Sequence, residues 1–211
     1  MTARGRFITF EGGEGTGKST QAKRLAVHLE KQGHRVVLTR EPGGSDGAEE
    51  IRTLLVEGSP ERWSPISEAL LFLAARTDHV SKLILPELQE GAWVVCDRFS
   101  DSTLAYQGVA RGLGLDVVRK LQTIALEGFK PDLTIVLDML AESGLLRAHT
   151  RGLAHGTRYE RFGTQFHEKL RRAFIEIAAN EPERCVLLNG DRSQDEVATD
   201  VWQTVKDRLA P

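Results

Sequence analysis

The chain has 211 residues, 27% of them charged, and a formal net charge of −2. That length suits one domain with a sizeable core. The near-neutral balance, with no long basic run, argues against nucleic acid or an anionic membrane as the main partner. No apolar stretch approaches the roughly 20 residues that span a bilayer, and the N-terminus lacks a signal-peptide core, so the expected location is cytoplasmic. Cys96 and Cys185 fall inside apolar runs and are expected as buried, reduced thiols. The six histidines show no metal-ligand spacing with them, so no zinc site is expected.

In chain order, Phe7, Ile8, Thr9 and Phe10 form a first apolar run that reads as a strand. Gly12-Gly13-Glu14-Gly15-Thr16-Gly17-Lys18-Ser19 follows, and then a helical pattern over about 18–32 (Ala22, Leu25, Ala26, Leu29). Glycine, four residues, then Gly-Lys-Ser between a strand and a helix is a phosphate-binding loop. Backbone N–H groups from Gly12 to Thr20 are expected to curl around the phosphates of a nucleoside triphosphate, helped by the helix N-terminus. Lys18 is expected at the β- and γ-phosphates and the Ser19 hydroxyl on Mg²⁺.

Four further runs, Arg35–Arg40, Ala92–Asp97, Asp132–Asp138 and Arg184–Asn189, are short, rich in Val, Ile and Leu, and nearly continuous. Such runs predict strands covered on both faces. Helical patterns lie at about 47–57, 66–90, 115–128, 141–150, 165–180 and 194–209, with stops at Gly33, Gly91 and Pro131. The alternation predicts an α/β fold with a five-stranded parallel sheet and helices on both faces. Ligands on such sheets bind beyond the carboxyl ends of the strands, here after Phe10, Arg40, Asp97, Asp138 and Asn189. Asp97 is expected to organise Mg²⁺ through water. Asp138 is its rival, and is expected instead to cap the helix beginning near Ala141. Phe72 and Arg76, four residues apart on one helix face, suit a flat base, with Arg76 donating to a ring carbonyl. Read alone, the same pair fits helix core beside a solvated or salt-bridged charge. Gln107 carries both a donor and an acceptor.

Thr39-Arg40-Glu41-Pro42-Gly43-Gly44, Leu71-Phe72-Leu73-Ala74-Ala75-Arg76, Asp97-Arg98-Phe99 and Asp101-Ser102-Thr103-Leu104-Ala105-Tyr106-Gln107-Gly108 stand at or near those strand ends. With the phosphate loop they resemble the thymidylate (dTMP) kinases of bacteria, from Phe7 to about Leu188. The resemblance implies a P-loop kinase fold in one domain, 1–211, with a small mobile lid at about 149–163. It also implies a homodimer and transfer of the γ-phosphoryl of Mg·ATP to dTMP, giving dTDP and ADP on the way to dTTP.

In the dTMP site the resemblance places Glu41, Arg52, Phe72, Arg76, Arg98, Ser102, Thr103, Tyr106 and Gln107. Phe72 would stack on thymine, Arg76 meet a ring carbonyl and Gln107 pair with the ring N–H. Tyr106 would lie against the sugar, and Ser102 and Thr103 would offer hydroxyls near base or sugar. Arg98 and Arg52, with Arg40 as a third candidate, would grip the acceptor phosphate; Arg52 reads equally well as a surface charge on an amphipathic helix. Glu14 would reach the acceptor's 3′-hydroxyl. Gly15 and Thr16 stand where some relatives carry a loop arginine, which moves that role to the lid. Arg151 is the first candidate there and Arg158 the second, with Arg147 and Arg161 nearby. Thr157 and Leu73 depart from the family pattern, and Asn189-Gly190-Asp191-Arg192 would border the adenine. Catalysis by Lys18, Glu14, Arg98, Arg151 and Arg158 would rest on alignment and charge neutralisation. Two rivals stand beside this reading, a kinase of another acceptor and an ATP-driven switch protein.

Overall fold

A computed structural model describes residues 4–150 and 158–211, the side chain of Arg158 excepted. Five parallel strands, β1 (Phe7–Glu11), β2 (Val36–Arg40), β3 (Trp93–Asp97), β4 (Leu133–Asp138) and β5 (Cys185–Asn189), form one sheet in the order β2-β3-β1-β4-β5. β1 is central: Phe7 pairs with Val94 on one side, and Ile8 with Leu133 on the other. The strands lie within a residue of their expected bounds. Near-continuous burial holds for β1, β3 and β4 but not for β2 and β5, where Leu38 and Leu187 are exposed. Those two strands are the sheet's edges, and helices cover an edge incompletely.

The helices are α1 (Lys18–Lys31), α2 (Asp46–Val56), α3 (Pro65–His79), α4 (Leu85–Gln89), α5 (Ser100–Thr103), α6 (Leu115–Leu126), α7 (Ala141–Thr150), α8 (Thr164–Asn180) and α9 (Gln194–Leu209). Alternate side chains of a strand point to opposite faces, and the core divides accordingly. Ile8, Phe10, Val95 and Ile135 pack with Leu25 and Leu29 of α1 and Val201 and Val205 of α9. Phe7, Val94 and Cys96 face the other way, onto Ile84, Leu88 and Phe99. Val136 packs with Leu170 and Phe174 of α8. Both cysteines are free and buried. Among the described residues no helix is long and apolar enough to cross a membrane.

The helix expected over 66–90 is continuous but not uniform. Ser64 caps it by accepting from the Ser67 N–H, and Pro65 follows at the first helical position. After α3 the chain widens into a π turn, Val80–Ile84, in which the Leu85 N–H donates to Val80, five residues back. Pro86 explains the turn, because it has no N–H and its ring would crowd the carbonyl four residues earlier. A second π turn, Leu104–Ala110, continues α5. No helix was expected there: Ser100, Asp101, Thr103 and Gln107 are buried, so the segment lacks the apolar repeat that marks a helix in sequence.

Candidate active site

The phosphate loop joins β1 to α1 with its crown against α7. Gly15 has φ +72, and a Cβ there would stand 1.8 Å from the Gly144 carbonyl oxygen. This packing leaves no room for a side chain at position 15, one of the two loop positions that lack an arginine. Lys18 is buried; its Nζ donates to the Gly13 carbonyl at 2.5 Å and lies 3.4 Å from Thr16 Oγ1. Burial, joined by Arg98, pushes its pKa down to about 8 against the pull of Glu14, Asp97 and Glu11.

Lys18 lines a cavity of about 220 Å³ with the ends of β2 and β3, α3 and the turn after α5. Every residue expected to bind the acceptor reaches this cavity. On its loop side the Ser19 hydroxyl donates to Asp97 Oδ2, while Asp97 Oδ1 is buried without a hydrogen-bond partner. A hydroxyl beside a carboxylate with an unused oxygen suits Mg²⁺. Among the described residues no group of three or more His, Cys, Asp or Glu is arranged to hold a metal ion. Asp138 does not cap α7 as expected. Both its oxygens take Arg171 of α8, Nε at 2.8 Å and Nη2 at 3.0 Å, because a two-pronged guanidinium is a stronger partner than a helix N–H.

Arg98 is one of the few non-glycine residues with positive φ, at +72. A Cβ in that region costs roughly 1–2 kcal/mol, and the surrounding contacts hold it there. Its N–H donates to the Phe10 carbonyl at 2.9 Å. Nη1 donates to the Gly12 carbonyl (2.9 Å) and Ser102 Oγ (3.2 Å), and Nη2 to Glu14 Oε1 (3.1 Å). The guanidinium also lies 5.1 Å from the Tyr106 ring centroid, and the Tyr106 hydroxyl donates to Glu14 Oε1 at 2.8 Å. Burial alone would raise the pKa of Glu14, but Arg98, Lys18 and the Tyr106 hydroxyl outweigh it and hold the carboxyl at about 2. Glu14 is therefore an anion that faces the cleft.

Behind it stands Glu11, which sequence reasoning missed. It closes β1 fully buried; Oε1 accepts from the N–H groups of Phe99 (2.7 Å) and Ser102 (3.2 Å), and Oε2 from the Ser102 hydroxyl (2.6 Å). Burial and then Asp101 lift its pKa to about 7, against Arg98 and these hydrogen bonds. The available signal was a carboxylate in an otherwise apolar central strand.

On the far wall Arg76 is buried, and each nitrogen has a partner. Nε donates to Glu41 Oε2 (2.6 Å), Nη1 to Thr103 Oγ1 (2.8 Å) and Nη2 to the Phe99 carbonyl (2.9 Å). Glu41 Oε1 meets His79 Nδ1 at 3.1 Å, and His79 Nε2 meets Thr39 Oγ1 at 2.8 Å. Glu41 thus reaches the wall with both oxygens engaged and orients Arg76. Gln107 Nε2 donates to Glu68 Oε1 at 2.7 Å, which leaves its Oε1 to accept. Phe72 is half-buried, with its ring 6.3 Å from that of Tyr159. Tyr159, not singled out from sequence, lines the same cavity and packs edge-on to Tyr106 at 5.2 Å. Arg40 and Arg52 complete the wall. Burial and the nearby Arg40 depress the pKa of Arg52, so Arg52 is not a plain surface charge. Guanidiniums gathered this way suit a phosphate.

Of the expected lid, Arg151 lies outside the described residues. Arg158 opens the short 3₁₀ turn Arg158–Arg161, which brings Tyr159 to the cleft. Arg147 of α7 bonds the Gly190 carbonyl (3.2 Å) and Asp191 Oδ1 (2.8 Å). With Thr20, Gly190 and Arg192 it lines a further cavity of about 240 Å³ beside the phosphate loop, where the adenine was expected.

The family model described as thymidylate kinase matches residues 10–201. The chain is 53% identical over 207 residues to a thymidylate kinase of Bradyrhizobium sp. (strain ORS 278), covering 98% of this chain and 92% of that protein. It is 51% identical over 205 residues to one of Caulobacter vibrioides, covering 97% and 98%. A crystal structure of thymidylate kinase from Ehrlichia chaffeensis matches with a TM-score of 0.77 at 32% identity, over 96% of this chain and 99% of that one.

Proposed function

The chain belongs to the thymidylate kinase family, and from that premise we propose how its cleft divides the work of an ATP-dependent phosphotransferase. It transfers the γ-phosphoryl group of ATP to the 5′-phosphate of dTMP, giving ADP and dTDP for DNA synthesis. The observation that carries the proposed roles is that one cavity holds Lys18 and Ser19 of the phosphate loop together with Arg76, Gln107 and the Arg40, Arg52 and Arg98 cluster.

The acceptor phosphate is already anionic at neutral pH, so no strong base is needed and catalysis rests on alignment and charge neutralisation. Arg98, Arg52 and Arg40 hold that phosphate in line with the γ-phosphoryl. Lys18 neutralises charge on the transferred group. Glu14 accepts the 3′-hydroxyl of the acceptor sugar, and Tyr106 covers the sugar. Arg76 donates to a thymine carbonyl, Gln107 Oε1 accepts the ring N–H, and Phe72 stacks on the base. Ser19, with Asp97 through water, would hold Mg²⁺, which when bound would offset the negative charge of the phosphates.

The segment 149–163 would act as a lid within the single domain, 1–211, with Arg151 the first candidate and Arg158 the second for the contact to the transferred group. Arg147 and Arg192 border the adenine. A homodimer would form through the outer face of α3 and the adjacent α6, where Ile66, Leu70, Val117 and Ile124 are exposed. The buried free thiols and the nucleotide substrates fit the cytoplasm.

Replacing Lys18 by Ala tests the core of these assignments. Turnover should vanish while dTMP affinity by calorimetry stays within about threefold, since the acceptor contacts remain. An active variant would overturn them.

A further inference from the structure

Glu14 separates two cavities. It lines the acceptor cleft on one side and a pocket of about 20 Å³ on the other, closed by the phosphate loop, the end of β4 and α8. His167 of α8 lines that small pocket, is 3% exposed, and has an Nε2 with no hydrogen-bond partner. A buried polar nitrogen without a partner is costly and uncommon in a folded protein. The rest of the ring is engaged, through backbone hydrogen bonds to Tyr159 and Phe162. Burial lowers the His167 pKa against those bonds and the Glu14 carboxylate, so the imidazole is neutral near pH 7. With one ring nitrogen bonded to the main chain, Nε2 is left as an acceptor. Across the pocket, Arg98 and Tyr106 both bond Glu14 Oε1, which leaves Oε2 for a further donor. Two acceptors on residues that line one pocket suit a molecule with two donors. A pocket above about 10–15 Å³ has room for one water where polar partners are at hand, and in this otherwise mostly apolar lining His167 and Glu14 are the candidates.

We propose that His167 is a positioning residue for Glu14, acting through one ordered water that donates to His167 Nε2 and to Glu14 Oε2. The water holds the carboxylate in the orientation that receives the acceptor's 3′-hydroxyl, and a carboxylate has lone pairs enough for all these donors. Through Tyr159 and Phe162 the same histidine ties this carboxylate to the turn that follows the lid. The proposal rests on the reading of Glu14 given above.

The test compares dTMP with its 3′-deoxy analogue as acceptors for wild type, H167N and H167Q, as kcat/KM. Asparagine places its amide near Nδ1 and keeps the main-chain edge, whereas glutamine places it near Nε2 and keeps the pocket edge. Wild type should prefer dTMP. H167N should lose about tenfold of that preference, with KM for ATP changed less than twofold, and H167Q should retain it. A preference kept in H167N, or lost equally in both variants, would overturn the proposal. Equal use of both acceptors by wild type would overturn the Glu14 reading and the proposal with it. A crystal structure of the wild type gives a check that no variant's folding can obscure. Density for a water within hydrogen-bond distance of Nε2 and the Glu14 carboxylate supports the proposal, and a dry pocket contradicts it.

Discussion

Replacing Glu41 by Ala separates two roles that the sequence alone could not distinguish. If Glu41 only touched the acceptor, its loss would leave the unliganded protein as stable as before. In the structure it is instead the buried counter-charge of Arg76, at 2.6 Å from Nε and 3.1 Å from His79 Nδ1, and Arg76 is 1% exposed. Removing one partner of a buried ion pair strands the other charge and typically costs about 3–5 kcal/mol. For a domain of this size each kcal/mol moves Tm by roughly 2–4 °C. E41A should therefore melt about 6–20 °C below wild type, and its urea midpoint should fall with no change in slope. E41Q keeps an acceptor oxygen facing Arg76 and should lose less. Both variants should raise KM for dTMP before KM for ATP, because Arg76 loses its orientation. Thermal and urea unfolding without ligand measure the first effect, and steady-state kinetics the second. An E41A protein within about 0.5 kcal/mol of wild type, the range of ordinary surface substitutions, would refute the reasoning.

Other substitutions test the remaining contacts. Q107A removes the acceptor oxygen left free by Glu68 and should raise KM for dTMP about tenfold or more, with ATP nearly unchanged; equal effects on both substrates would contradict a base contact. Glu14 has a pKa of about 2 against an ordinary 4.5. Its stabilisation is therefore complete above about pH 4.5 and lost as the pH falls from there towards 2. The unfolding free-energy gap between wild type and E14Q should shrink through that window, and a gap constant from pH 7 to pH 3 would rule the network out. G15A forces a Cβ to 1.8 Å from the Gly144 carbonyl oxygen at φ +72. It should destabilise by at least about 1–2 kcal/mol and weaken ATP binding, whereas a variant as stable as wild type would refute the close contact between the loop and α7.

Local signals carried far in this chain because the sheet is parallel and its strands are short. Each apolar run stops at a polar residue where the strand meets the site, so Arg40, Asp97 and Asp138 marked the strand ends directly. The phosphate loop was equally plain, since its glycines and Lys-Ser are contiguous. Edge and centre could not be told apart, as Leu38 and Leu187 look like core residues until strand order is known. The helix after Phe99 was hidden because buried polar residues, Ser100, Asp101, Thr103 and Gln107, interrupt its apolar repeat. Glu11, His167 and Tyr159 were missed for a related reason. Their partners lie far along the chain, as with Glu11 and Ser102, 91 residues apart, and no spacing rule joins such positions. Asp138 misled because a strand-end aspartate before a helix is a good local cap, and only the fold brings Arg171 to it.

The central claim is tested most directly by ADP production from Mg·ATP with dTMP, dUMP, dCMP, thymidine or no acceptor. Rapid turnover with dTMP, weak turnover with dUMP and negligible turnover with the others is the result predicted by Arg76 and Gln107 reading the base and the arginine cluster reading the phosphate. ADP release that needs no acceptor, or turnover on thymidine in place of dTMP, would contradict it.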